Sequence, residues 1–265
     1  MRVNTLIFIS LQFMFLKIHG QVWQAPQALS SHKINQAYFS MAFRYPAATD
    51  SKKNSGKILV RFTVDNQGNT KDFRIEKSSD ESLNAEAIRL AQKILWKPAI
   101  HNGSSVESQA CIDVPFNRKH AHKRMSAEGV PEGLTKLSCD TSNKIYTFAT
   151  VEHLPQPLLP QNYRNLSHYI AMNLKYPEAA LLGGIEGVVQ VGLVVEEDGT
   201  CSNIHIISHV GGGCDQEAIR ILQSVRWLPA IKDSVYVRSR SQIDVTFHLR
   251  EQRQQQIPNR QSGGL

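Results

Sequence analysis

Between Ile58 and Val64 every second residue is apolar (Ile58, Val60, Phe62, Val64), and the alternation returns from Val189 to Val195 (Val189, Val191, Leu193, Val195). A period of two predicts a strand buried on one face. Each run ends in a turn signal, Asp65-Asn66-Gln67-Gly68 or Glu196-Glu197-Asp198-Gly199, whose glycine supplies the positive φ of a tight hairpin. Return strands follow with Phe73 and Ile75, or Ile204 and Ile206, turned inward. The period then becomes helical. Ala218, Ile219, Leu222 and Val225 form a stripe after Gly211-Gly212-Gly213, with Asp215 placed to cap the first amides. A closing strand puts Val106, Ser108, Ala110, Ile112, Val114 and Phe116 on one parity, and likewise Val237, Ser239, Ser241, Ile243, Val245 and Phe247. Short helices are expected ahead of Tyr45-Pro46 (Tyr38, Met41, Ala42) and ahead of Tyr176-Pro177 (Leu166, Tyr169, Ile170, Met172). A further helix is expected through Ala179 to Leu182, stopped by Gly183-Gly184, while polar Thr49 to Ser55 predicts a shorter, frayed counterpart.

These elements are one string written twice. A displacement of 131 residues, the separation of Tyr45 and Tyr176, superimposes Glu86-Ala87-Ile88-Arg89 on Glu217-Ala218-Ile219-Arg220. It also carries Trp96 onto Trp227 and Ile112-Asp113-Val114 onto Ile243-Asp244-Val245, with no insertion or deletion. The order helix, strand, strand, helix, strand admits few assemblies. With the first two strands as a hairpin, the third lies antiparallel beside the first, at an edge, and the helices share one face. The expected fold is therefore α+β: two tandem domains, residues 34-118 and 161-250, each a three-stranded antiparallel sheet of order 2-1-3 with helices packed on one face. A linker, 119-160, ends in the proline-rich run Leu154 to Pro160, and a polar tail, 251-265, is expected to be disordered. Residues 21–33 are polar and carry no pattern. Residues 1-20 place Arg2 before an apolar run from Leu6 to Leu16 and end with Lys17 and Gly20, which reads as a secretory signal cleaved after Gly20. An uncleaved short anchor is the other reading.

The net charge of +7 invites a nucleic-acid partner until it is placed along the chain. From Ala37 to Arg118 the balance is +3 and from Gln161 to Arg250 it is −1, so the surplus is spread thinly over the two copies and a nucleic-acid partner is set aside. Export permits disulfides among Cys111, Cys139, Cys201 and Cys214; Cys214 stands where the first copy has Leu83 and is expected as a buried thiol, while Cys111, facing outward, is placed to reach Cys139. His205, His209 and His248 lack ligand spacing, so no metal is expected, and Trp96 and Trp227 read as residues closing each core. Asp113 and Asp244 repeat without a base or nucleophile beside them. No catalytic residue and no cofactor are expected, and the chain is read as a non-enzyme. The closing edge is either guarded, with Arg238 and Arg240 as blockers, or a dock for another strand.

The motifs YPxxA, GxVxVxxxV, a DG or QG turn, EAIR, WxPA and a closing IDVxF resemble the C-terminal domain of TonB, the periplasmic energy transducer, across both copies, with Thr49 and Ile58 departing from the first two motifs in the first copy. GGGCDxEAIR in the second copy is similar to the form found in Bacteroidetes-type homologues. In that family the last strand accepts an extended peptide, the TonB box of an outer-membrane receptor. The resemblance implies this role for the second copy's last strand, through Tyr236, Val237, Arg238, Ser239, Arg240, Ser241, Gln242, Ile243, Asp244 and Val245, and secondarily for Val106 to Phe116, where Pro115 removes a donor. It implies a periplasmic, exported binding protein whose partner is an outer-membrane TonB-dependent receptor or its periplasmic peptide. The chain departs from a transducing TonB in its removable signal and short proline-rich segment, so force transmission is not expected. The alternative is a structural scaffold, or a homodimer, pairing through the same edges. Ser241→Pro is expected to abolish docking and spare the fold.

Overall fold

The computed structural model describes residues 17–18, 21–45, 55–117 and 137–249. The first half runs β1 (Lys17–Ile18), β2 (Gln21–Gln24), β3 (Gln27–Ala28), α1 (His32–Ala42), β4 (Ser55–Val64), β5 (Thr70–Ser78), α2 (Asn84–Ala91), β6 (Trp96–Lys97), β7 (Ala99–His101), β8 (Ser104–Val106) and β9 (Ser108–Asn117). The second runs β10 (Ser138–Cys139), β11 (Ile145–Tyr146), β12 (Gln156–Leu158), α3 (Leu166–Asn173), α4 (Glu178–Leu182), β13 (Gly187–Val195), β14 (Cys201–Ser208), α5 (Cys214–Ser224), β15 (Arg226–Leu228), β16 (Ala230–Lys232) and β17 (Val235–Phe247).

In each half the hairpin and the closing strand form an antiparallel sheet, β5-β4-β9 and β14-β13-β17. The alternation seen in the sequence decides which face is covered: Ile58, Val60, Phe62 and Val64 are buried under α1 and α2, and Val189, Val191, Leu193 and Val195 under α5. Each such side chain contributes about 1.5–3 kcal/mol by leaving water. Phe62 stacks on Phe73 and meets the edge of Trp96, both at 5.1 Å between centroids. Trp227 and Cys214 lie inside the second core.

The repeated EAIR string is a clamp. Glu86 accepts the Arg44 amide (2.7 Å) and pairs with Arg89, which donates to the Ala42 carbonyl (3.0 Å). Glu217 accepts the Lys175 amide (2.6 Å), and Arg220 donates to the Asn173 carbonyl (2.9 Å). Both pairs thus satisfy backbone groups left over where α1 or α3 ends. Glu217→Ala removes the acceptor of the Lys175 amide and the carboxylate partner of Arg220 together, and a loss of about 2 kcal/mol is expected in urea unfolding, whereas exposed Asp244→Ala is expected to change stability by less than about 0.5 kcal/mol.

The units start earlier than residues 34 and 161. β3 pairs with β6 and β2 with β7 ahead of the first core, and β12 pairs with β15 ahead of the second. Segment 138–158 is therefore no free linker. Each closing strand is also preceded by a short hairpin, β7–β8 around Asn102-Gly103 and β16–β17 around Asp233-Ser234, all four turn residues having positive φ, as a two-residue hairpin turn requires. Asp215 does not cap α5, whose first amides follow Gly213; it accepts the Val210 amide instead (3.0 Å) and pins the glycine loop. All four cysteines are free thiols, and Cys139 donates to the Glu197 carbonyl (3.4 Å), which corrects the expected Cys111–Cys139 reach. The signal through Leu16, the Thr49 to Asn54 segment and the tail lie outside the described residues.

Candidate functional site

β17 is thirteen residues long and is paired along one side throughout, by β16 at Val235–Val237 and by β13 at Ser239–Phe247. Its other side is the candidate edge. The upper part is taken by the chain itself: β10 runs parallel to Val235 and Tyr236, and β11 runs parallel to Arg238 and Ser239. Tyr236, Val237, Arg238 and Ser239 are buried. These four are therefore not an open dock, and Arg238 is not a blocker, because its side chain points into an ion network.

Backbone geometry defines what remains. The Asp140 amide donates to the Tyr236 carbonyl (2.8 Å), so Tyr236 turns its peptide groups away from β16. Alternate residues of a strand face the same side. The first copy gives the same parity: Lys57 accepts the Ser79 amide on the β5 side, so its partner Pro115 faces outward, and Val188 opposite Thr246 is the corresponding pair. Arg240, Gln242, Asp244 and Thr246 thus present N–H and C=O groups to the outside, with exposed side chains, and no strand pairs with this side among the described residues. Ser241, Ile243 and Val245 turn their peptide groups toward β13 instead, Ser241 opposite Leu193. The expectation for Ser241→Pro is overturned: that proline would remove a ladder donor.

The first copy offers a poorer edge. The Asp113 carbonyl is taken by the Gln36 amide on α1 (3.0 Å), and Pro115 has no donor to offer on that side. The Asp113 carboxylate is engaged by Lys57 (3.1 Å).

Behind the covered part of β17 lies a polar junction between the two units. Arg238 donates to both carboxylate oxygens of Glu196 (2.7 and 3.0 Å), to the Lys93 carbonyl (2.8 Å) and to the Asn143 carbonyl (2.9 Å). Lys93 pairs with Glu197 (2.9 Å). Asn203, held at positive φ, accepts the Leu95 amide (2.7 Å) and donates to the Lys93 carbonyl (2.9 Å). Burial pushes the Glu196 carboxyl up against the pull of Arg238 and Lys93. Burial also pushes Asp198 up, but the Thr200 hydroxyl and Arg44 outweigh it and hold that carboxyl below the usual range. On the first unit's side α1 packs along β14 and sends Ile34 into the second core. Asp72 repeats the positive φ of Asn203, but the side-chain network does not recur in the first copy, where Asp65, Asp72 and Glu107 stand in place of Glu196, Asn203 and Arg238. That failure to repeat is the one signal in the sequence that would have found the junction.

No group of His, Cys, Asp or Glu among the described residues is arranged to hold a metal ion, and no helix among them is long and apolar enough to cross a membrane. A family model described as Gram-negative bacterial TonB protein C-terminal matches residues 41–117 and again residues 172–249. Comparison with curated proteins returns no match.

Proposed function

Given that the chain belongs to the TonB C-terminal family and carries its domain twice, we propose that it is an exported envelope protein that docks extended peptides by strand addition along Arg240–Phe247. The family associates it with TonB-dependent transport. The partner in this reading is an outer-membrane TonB-dependent receptor, through a periplasm-facing segment. One observation carries the choice of surface: on β17 four consecutive outward-facing residues keep their backbone groups unpaired among the described residues, next to a place where the same edge already holds a strand. A peptide laid there gains main-chain hydrogen bonds from Arg240, Gln242, Asp244 and Thr246, and the adjoining side chains select its sequence. No cofactor or metal takes part, and no reaction is assigned.

The test is amide hydrogen exchange on the full chain with synthetic peptides that span periplasm-facing segments of the host's TonB-dependent receptors. Slower exchange confined to the alternate amides from Arg240 to Thr246 is expected. Protection of these amides without peptide, rising with protein concentration, would instead establish the scaffold or homodimer reading. No change at this edge with any peptide would end the docking reading.

A further inference from the structure

We propose that segment 138–146 is an intramolecular strap that occupies the upper part of the docking edge and limits the length of peptide the edge accepts. The inference rests on the docking reading above and deepens it.

The strap is built to hold weakly and to be held in place from elsewhere. Its two strands are two residues each and run parallel to β17, the less stable sense of pairing per residue. Ser138 and Cys139 are exposed and Ile145 and Tyr146 only half-buried, so apolar burial contributes little. Between them the chain makes a self-contained loop: Asp140 accepts the amide (2.9 Å) and hydroxyl (2.7 Å) of Ser142, and Asn143 adopts positive φ. What fixes this loop is the junction. Arg238 donates to the Asn143 carbonyl, the Asn143 side chain reaches Gln92 of the first unit (3.4 Å), and Cys139 donates to the Glu197 carbonyl. The strap therefore sits on the edge while the two units are joined.

The parallel register sets which groups the strap consumes. Asp140 donates to the Tyr236 carbonyl, and by the same stagger the Tyr146 amide lies opposite the Arg238 carbonyl. Tyr236 and Arg238 belong to the same outward set as Arg240, Gln242, Asp244 and Thr246. Strap and guest therefore share one edge, and a guest that extends past Arg240 must displace Ile145 and Tyr146.

Peptide length makes the inference testable. Two synthetic peptides of alternating threonine and valine with lysine ends, of about six and about twelve residues, are titrated into the full chain and into an Asp140→Pro, Tyr146→Pro double variant, which removes both donors of the strap. In the parent the two peptides are expected to bind alike, with protection ending at Arg240. In the variant the longer peptide is expected to gain about tenfold, as two further backbone hydrogen bonds would supply, with protection reaching Tyr236. Unchanged exchange at Val189 to Val195 verifies the fold, and replacement of residues 140–144 by glycine and serine is the second variant. A tenfold length gain already present in the parent, or no gain in either variant, overturns the strap and leaves docking standing. Failure of both peptides to bind both proteins overturns docking itself.

Discussion

Arg238→Ala is expected to lower the stability of the chain by about 3–5 kcal/mol, the range for removing one partner of a buried ion pair. Glu196 stays behind with its other contacts to Ser202 and Lys93 but without the fork that matched both carboxylate oxygens. The Asn143 carbonyl loses the donor that anchors the loop around it, and the Lys93 carbonyl is left with Asn203 as its donor among the described residues. Arg238→Lys is expected to recover little, because an ammonium cannot span a carboxylate and two carbonyls in one plane. Arg240→Ala, an exposed arginine two residues along the same strand, should change stability by less than about 0.5 kcal/mol. Urea unfolding of the three variants measures this. Equal, small losses for both alanine variants would mean that the junction contributes nothing net to stability.

That contrast shows where the sequence is readable. Arg238 and Arg240 alternate with small polar residues on a strand whose core positions were clear, and both look like guards of an exposed edge. Only the second unit's hairpin, the first unit's α2 end and the strap, brought together by the fold, make one of them an interior residue. Periodicity reports burial against a residue's own sheet, so the two β-sheets, their helices and their cores were legible from Ile58 to Phe116 and from Val189 to Phe247. It does not report burial against another unit. β14 shows the same limit: Ser202 and Asn203 are buried where the equivalent Lys71 and Asp72 are exposed. The strap was illegible for a different reason, since a strand two residues long spans a single strand period and leaves no alternation to read.

The docking edge depends on a distinction that only the register supplies, between neighbours on one strand. Gln242→Pro removes a donor that faces outward, so the β13 ladder is kept while the middle of the edge loses its N–H. Peptide affinity is expected to fall at least about tenfold, from the lost hydrogen bond and the ring's bulk against an incoming backbone, with the unfolding midpoint nearly unchanged. Ser241→Pro does the reverse. Its N–H points to β13 opposite Leu193, in the centre of the sheet, and the expected cost is about 3 kcal/mol or more of stability. Peptide titration and urea unfolding of both variants separate the two effects. Were Gln242→Pro the unstable variant and Ser241→Pro the stable one, the outward parity would belong to Ser241, Ile243 and Val245. Were Gln242→Pro stable and fully able to bind peptide, Arg240–Phe247 would not be the surface that receives it.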